Sequence, residues 1–182
     1  MKTSASQTPW CIRRVYHVDD VQTEQLADVL INCVEGGASV SFMLPLTRQR
    51  AEAFWREVAR GVETEKRALL IAEDAHGICG TVQLVLEQPE NQTHRADVSK
   101  MLVHQRIRRG GLGAALMHAV EDLARDCQKS VLVLDTATGE AAERLYARMG
   151  WQRVGDIPNF ALFPQGGFCS TTFFYRHLAP RG

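Results

Sequence analysis

The sequence has no excess of charge of either sign, since 21 Lys and Arg residues balance 21 Asp and Glu residues in a chain of 182. General binding to nucleic acid or to an anionic membrane needs a basic excess, so neither partner is expected. No apolar run approaches the ~18–20 residues that a membrane-spanning helix requires. The polar residues 1–10 lack the apolar centre of a secretory signal. We expect them to form a flexible tail and the protein to be cytoplasmic.

Cysteine pairs with metal or disulfide spacing are also lacking. The five cysteines are odd in number, and no two of them stand in a Cys-x-x-Cys arrangement. A disulfide framework and a zinc site are therefore not expected. The six histidines are scattered along the chain and form no ligand cluster. We expect no metal cofactor.

The remaining pattern is that of one compact domain, which we place at residues 11–182. Hydrophobic residues make up 45% of the chain, enough for a substantial core. Helical and strand periodicities predict the order β-α-α-β-β-β-α-β-α-β-β, with a loop around Pro158 between strands at 151–156 and 170–178. This order indicates an α/β fold built on a mixed sheet.

The most informative segment is the glycine-rich turn Gly110-Gly111-Leu112-Gly113, between a strand and a long helix. Glycines let a phosphate approach the backbone, and the helix N-terminus attracts an anion, so a pyrophosphate is the expected ligand. No lysine follows as in a nucleotide P-loop, and Leu116 stands where a dinucleotide fingerprint needs its third glycine. A helix start that merely needs flexible residues is the alternative, although glycine costs about 0.5–1 kcal/mol in a helix.

The spacing Arg108-x-x-Gly111-x-Gly113 resembles the pyrophosphate loop of the Gcn5-related N-acetyltransferase (GNAT) superfamily. The segment 142–151, with Tyr146 before Gly150-Trp151, resembles its second signature. The resemblance implies a mixed, mostly antiparallel sheet with helices on both faces and acetyl-CoA as cosubstrate. It also implies that acetyl-CoA contacts the end of one strand, the loop and one threonine. Many members have asparagine at the position of that threonine. The implied contact residues are Met101, Leu102, Val103, Arg108, Arg109, Gly110, Gly111, Leu112, Gly113, Ala114 and Thr136.

Further segments, at 35–43, 95–103, 134–136, 155–158 and 174–175, resemble the tabtoxin-resistance acetyltransferases. That subfamily acetylates an amine of a small β-lactam amino-acid toxin. The resemblance implies a small-molecule amine as acceptor and a role like antibiotic resistance. Two alternatives stay open, which are acetylation of a protein or peptide and an acyl-CoA-binding sensor without turnover.

Two side chains are candidates for proton transfer. The resemblance places Tyr146 beside the thioester sulfur, where its phenol is the candidate acid. Asp97 is the candidate base, since members often carry a glutamate six residues before the position of Val103. A solvated edge carboxylate or a salt bridge to Arg95 is an equally weighted interpretation of Asp97.

Two further expectations concern the backbone of the predicted strand at about 94–103. Family members bulge this strand, which would free the N–H of Val103 for the thioester carbonyl. If no bulge intervenes, a period of two puts one set of side chains on one face: Asp97, Ser99, Met101 and Val103.

The acceptor pocket is expected between the two N-terminal helices and the late loop. Its candidate residues are one acidic, two polar, two aromatic and one aliphatic thioether side chain: Glu35, Ser39, Phe42, Met43, Asn159 and Phe160. A carboxylate such as Glu35 could hold a cationic amine, although each residue could equally be a packing or capping residue. The apolar segment from Thr171 to Tyr175 is a candidate for strand pairing in a homodimer.

Overall fold

A computed structural model describes residues 10–179 of the chain. The predicted tail lies outside this range except for Trp10, which packs half-buried against the core. The described residues form the elements in the predicted order: β1 Cys11–Val15, α1 Asp20–Glu35, α2 Arg48–Glu63, β2 Arg67–Asp74, β3 Gly77–Val85, β4 Arg95–Val103, α3 Leu112–Asp126, β5 Val131–Ala137, α4 Ala141–Arg148, β6 Gln152–Leu162 and β7 Phe168–His177.

The strands form one seven-stranded sheet in the order β1-β2-β3-β4-β5-β7-β6. Neighbouring strands are antiparallel except for β4 and β5, which are parallel. A parallel pair needs a crossover connection, and α3 supplies it. The predicted mixed, mostly antiparallel sheet is therefore confirmed.

Helices cover both faces of the sheet, as predicted. The N-terminus of α1 is held by a capping box, in which the Gln22 N–H donates to Asp19 Oδ1 at 2.7 Å and the Asp19 N–H donates to Gln22 Oε1 at 3.1 Å. Apolar side chains of α1 and α2, including the fully buried Trp55, pack on one face. The stripe of α3 that includes Leu116 and Val120 packs on the other face, beside α4. No helix within residues 10–179 is long and apolar enough to cross a bilayer.

The loop predicted between residues 156 and 170 is present only as the turn that contains Pro164, Gly166 and Gly167, because the chain around Pro158 belongs to the edge strand β6. The register of β6 against β7 shifts between Ile157 and Ala161, and Asn159 within the shift has φ +54°. A proline without an N–H is tolerated on an edge strand at such an irregularity. Proline therefore marked a bulge in this strand and not its end.

The strand that was predicted to pair with a second copy of the chain does not lie at an edge of the sheet. Residues Thr171 to Tyr175 lie in β7, which is hydrogen-bonded to β5 on one side and to β6 on the other. The backbone of β7 is thus already paired within the chain. The open edge on this side of the sheet belongs to β6, whose side chains are mostly exposed.

A buried ionic network ties α3 to the residues that follow α4. Glu121 is 3% exposed, accepts from Trp151 Nε1 at 3.1 Å, and pairs with Arg176 Nε at 3.3 Å. Arg176 also donates to the backbone oxygen of Met149. The network holds the end of α4 against α3 and β7.

We expect Glu121→Ala to lower the free energy of unfolding by about 3 kcal/mol. The substitution leaves the Arg176 guanidinium without its partner and the Trp151 N–H without an acceptor. Urea denaturation measures the change. As a control, Glu57→Ala removes an exposed pair with Arg60 and should change the same quantity by less than about 0.5 kcal/mol. Equal effects of the two substitutions would contradict a structural role for the network.

Candidate active site

A β-bulge interrupts β4 in the middle of the sheet. Ser99 pairs with Gln83 and Leu102 with Thr81, so two residues of β4 stand opposite one residue of β3. Lys100, the first of these two, has φ +51°, which is uncommon for a residue with a side chain. The extra residue shifts the alternation of side chains by one position.

Because of the bulge, Asp97, Ser99, Met101 and Val103 do not share one face of the sheet. Before it, Ala96 and Val98 belong to the core beneath α3 and α4, so Asp97 and Ser99 point to the α1–α2 face. After it, Leu102 belongs to the core beneath α1 and α2, and Met101 and Val103 pack toward α3 and α4. The bulge that the family resemblance implied is present, and the strict period of two, which was expected only without a bulge, does not apply because the inserted residue reverses the side-chain directions.

β4 and β5 separate shortly after they begin. Their pairing covers Arg95 with Val131 through Asp97 with Val133, whereas β4 continues to Val103 and β5 to Ala137. Backbone N–H and C=O groups along the facing edges lack a strand partner beyond this point. The result is an opening between two parallel strands whose far end lies near the N-terminus of α3.

The glycine-rich turn exposes the start of α3. Gly111 is the N-cap residue with φ +80°, and it offers no side chain to cap the helix. The first helical bond runs from Ala115 N–H to Gly111 O at 3.1 Å. The N–H groups of Leu112, Gly113 and Ala114 therefore remain available to an anion.

Two arginines flank this helix end. Arg109 has φ +65° and is exposed, and its guanidinium forms no ion pair with any residue that the structure describes. The Arg108 guanidinium lies near the buried Cys33 and lowers the pKa of that thiol, although burial has the larger effect and raises it. The loop is anchored to α1, because Gln105 N–H donates to Asn32 Oδ1 and Gln105 Nε2 donates to Asn32 O, both at 2.8 Å.

Some residues predicted to contact a cofactor have side chains that pack within the protein. The side chains of Leu102 and Leu112 are at most 2% exposed and belong to the core, which leaves only their backbone groups for a ligand. Gly113 permits close helix packing, since a Cβ there would lie 3.3 Å from Leu145 Cδ2. Thr136 is half-buried and shares the α3–α4 face with Leu134, beside the opening.

Tyr146 lies on α4 with its ring buried between aromatic neighbours. Its ring centroid is 6.1 Å from that of Trp151 and 6.0 Å from that of Phe174. Its hydroxyl makes no hydrogen bond within the described part of the chain. Burial, together with the nearby Asp135 carboxylate, raises the pKa of the phenol well above its usual value. The group therefore stays protonated near neutral pH and is a hydrogen-bond donor.

Asp97, the predicted base, is held by two neighbours. Its carboxylate forms an ion pair with Arg95 and accepts from Gln88 Nε2 at 3.0 Å. The salt bridge to Arg95 is one of the two interpretations that the sequence left open. Asp97 also stands at the last paired position of β4, before the strands separate.

Asp135 and Lys100 are the charged groups that sequence reasoning missed as site residues. Asp135 follows Leu134 on β5 and points to the face opposite that core residue. It opens to solvent, yet partial burial raises the pKa of its carboxyl, while Lys100 acts in the opposite direction. Two sequence signals could have revealed them. One is a carboxylate directly after the apolar run 131–134, and the other is a lysine that breaks the alternation of β4.

The acceptor candidates Ser39 and Phe160 both contact residues of β6 or β7. The connection between α1 and α2 contacts the β6–β7 turn, where Ser39 Oγ donates to Leu162 O at 3.0 Å and Leu44 N–H donates to Pro164 O at 2.9 Å. The Ser39 hydroxyl thus has a structural partner. Phe160 packs edge-on against Phe173 at 5.6 Å, and Phe173 is the strand neighbour of Asp135.

The other acceptor candidates differ in their surroundings. Phe42 packs edge-on against Phe54 at 5.3 Å in the same connection, and Met43 is 39% exposed. Asn159 is exposed in the bulged part of β6. Glu35 does not join them, because it lines a separate polar depression of about 330 Å³ with residues that include His104 and Arg106.

Comparisons with known proteins agree with this architecture. The yncA protein of Salmonella typhimurium, solved with its cofactor acetyl-CoA, is 20% identical, covers 95% of this chain and 96% of its own, and has a TM-score of 0.75. A ribosomal-protein-alanine N-acetyltransferase from Brucella melitensis is 20% identical over 92% of this chain and 99% of its own, with a TM-score of 0.75. A protein assigned as a phosphinothricin N-acetyltransferase is 17% identical over 93% and 99%, with a TM-score of 0.77.

These identities show a shared fold, and the sequence itself shows the family. The sequence model of the acetyltransferase (GNAT) family matches residues 39–151, which is more than half of the chain. The match spans the bulged strand, the glycine-rich turn and Tyr146. The chain therefore belongs to the acetyltransferase (GNAT) family.

Proposed function

We propose that the protein transfers an acetyl group from acetyl-CoA to a primary amine of a small molecule. The observation that carries the proposal is the position of two groups at the opening between β4 and β5, where the Asp135 carboxylate is exposed on one face of β5 and the Tyr146 phenol, without a hydrogen-bond partner among the described residues, packs on the other face. One group can donate a hydrogen bond to a leaving sulfur, and the other can accept a proton from an amine. A binding protein without turnover has no use for this combination.

The opening and the glycine-rich turn suit coenzyme A. The free N–H groups at the start of α3, with Arg108 and Arg109 beside them, match the charge and acceptor oxygens of a pyrophosphate. The separated edges of β4 and β5 offer backbone groups to the two amides of a pantetheine arm, which takes the place of a strand. The N–H of Val103, after the bulge, stays our candidate donor to the thioester carbonyl.

The residues have separate tasks in the transfer. The neutral amine attacks the carbonyl carbon, a C–N bond forms as the C–S bond breaks, and Asp135 accepts the proton that the nitrogen releases. Tyr146 donates a hydrogen bond to the departing sulfur. Full proton donation from a phenol to a thiolate is uphill by roughly 2 kcal/mol at reference pKa values, and the raised phenol pKa favours hydrogen bonding further.

A small acceptor is favoured over a protein chain by the closure of the acceptor side. The α1–α2 connection is bound to the β6–β7 turn through Ser39 and Leu44, which narrows access from that direction. The resemblance to the tabtoxin-resistance subfamily and the structural similarity to a phosphinothricin enzyme point the same way. An amino-acid-like toxin or antibiotic is therefore our first acceptor class, and a peptide N-terminus is the second candidate.

The function is tested by release of free thiol from acetyl-CoA with a panel of small amines and peptides. The Tyr146→Phe variant should lower kcat by roughly 10²-fold, because one donor to developing charge is lost. The acetyl-CoA Kd from calorimetry should stay within about threefold, since the substitution removes no contact to the glycine-rich turn. Unchanged turnover would remove Tyr146 from the mechanism.

The two carboxylates of the cleft can be told apart by matched amide variants. Asp135→Asn should lower kcat by about 10²-fold or more, because the amide cannot accept the proton. Asp97→Asn should lower kcat by less than about tenfold, because Asp97 is already bound to Arg95 and Gln88. Steady-state thiol release measures both, and the reverse order would return the base role to Asp97.

The glycine-rich turn is tested at its left-handed residue. Gly111→Ala places a Cβ at φ +80°, which costs about 1–2 kcal/mol and displaces the first turn of α3. The acetyl-CoA Kd should rise about 5- to 30-fold in calorimetry. Gly166→Ala is the matched control, with φ +99° and open space in the β6–β7 turn, and it should leave the Kd unchanged. Equal Kd values for the two variants would refute the phosphate site.

A further inference from the structure

Two non-glycine residues with left-handed backbone meet in one contact on the acceptor side. Lys100 has φ +51° and Ser41 has φ +76°. Lys100 Nζ donates to Ser41 Oγ at 3.1 Å and lies 5.9 Å from the centroid of the Phe54 ring. Such conformations are unfavourable for residues with a side chain, and they cluster where a ligand is held. The contact is thus a candidate for ligand recognition.

The Lys100 ammonium is poorly compensated by the protein. It forms no ion pair within residues 10–179, and Ser41 Oγ is its only hydrogen-bond acceptor there, although an ammonium has three donors. Burial lowers its pKa, Asp135 acts in the opposite direction, and Arg67 lowers it further. A partly buried cation without a partner favours the arrival of an anion.

Neighbouring side chains on the same face add hydrogen-bond donors. Arg67 Nη1 donates to Gln83 Oε1 at 2.9 Å. Gln83 is fully buried, and its Nε2 has no acceptor among the described residues. Arg67 and Gln83 belong to β2 and β3, on the face that also carries Asp97. Lys100, Arg67 and Gln83 therefore place charged and neutral donors on the same face of the sheet.

Carboxylates lie on the same side of the sheet. Asp135 on β5 and Asp97 on β4 point to the α1–α2 face, which is also the side on which Lys100 contacts Ser41 and Phe54. This face therefore carries a cationic donor at Lys100 and, at Asp135, a carboxylate that forms no ion pair within residues 10–179. A molecule that bears both an ammonium or amine group and an anionic group fits this arrangement better than a plain amine.

We propose that the acceptor is an amino acid or a close analogue, whose carboxylate is bound by Lys100 and Ser41 while its amine faces Asp135. This inference rests on the proposed N-acetyltransferase function and makes Lys100 its specificity-determining residue. A carboxylate accepts from the ammonium and the hydroxyl together, and the charged hydrogen bond orients the amine toward the transfer site.

The experiment compares the twenty L-amino acids with their α-carboxamides, which keep the amine and lose the charge. Thiol release from acetyl-CoA gives kcat and KM, and calorimetry gives the Kd of each compound for the protein. We expect at least about a tenfold preference in kcat/KM for the acids that are acetylated, since a hydrogen bond between charged groups is worth about 1.5–3 kcal/mol.

Variants assign the preference to Lys100. Lys100→Asn removes the charge and keeps a residue type that tolerates positive φ. It should raise KM for the acids about tenfold or more, leave their kcat within about threefold, and leave the amides unaffected. Lys100→Arg should restore the preference in part. Lys66→Asn removes an exposed lysine paired with Glu87 and should change neither value. Thermal unfolding and acetyl-CoA binding verify that each variant is folded.

The outcomes separate this inference from the proposed function. Equal turnover of acids and amides by the wild-type protein would overturn the role of Lys100 and leave the transferase function intact. Binding of acids that depends on Lys100, without thiol release from any compound, would support the anion site and overturn the transferase function. If the protein neither binds nor acetylates any of the acids, the inference is overturned. Turnover of peptides alone would replace amino acids by peptides as the acceptor class.

Discussion

The one-residue insertion in β4 at Lys100 and Met101 is the constraint on which the site depends. It reverses side-chain direction within one strand, so Asp97 faces the acceptor side and Val103 faces the α3–α4 side. Beyond Asp97, β4 no longer pairs with β5, and the two strands diverge. A single strand can therefore contribute to two compartments that a regular sheet would keep apart.

The polar character of the acceptor side follows from this constraint. Lys100 is carried by the bulge itself, and its ammonium is turned toward Ser41 and Phe54. Asp135 can remain open to solvent because β4 has left the edge of β5 at that point. Unpaired charge and left-handed backbone destabilise the fold locally, and they persist where the surrounding structure fixes them. Two apolar clusters and the buried Glu121 network supply that stabilisation.

The fold and the geometry of the glycine-rich turn were largely predictable, because their signals are local. The stripe of α3 and the glycines before it lie close together in sequence, so spacing alone indicates a helix with an open N-terminus. Tyr146 was found through its own short signature. Pro158 misled the prediction, because proline is compatible both with a loop and with a bulged edge strand, and only pairing with β7 distinguishes them.

The acceptor side was less predictable, because its residues come from distant parts of the chain. Glu35 lies on the expected helix but lines a different depression, since the rotation of α1 directs it toward His104. Asp97 could be named from its strand, but its partners Arg95 and Gln88 decide its availability.

The sequence by itself determined the order of elements, the open helix N-terminus at the glycine-rich turn of residues 108–114 and the candidate role of Tyr146. These properties depend on backbone conformation and on neighbours within a few residues. Only the tertiary structure decided which carboxylate is held by an ion pair, which lysine contacts the α1–α2 connection and which strand is left at the edge. Those properties depend on strand register and on one inserted residue, and a shift by a single position exchanges the two faces of a sheet.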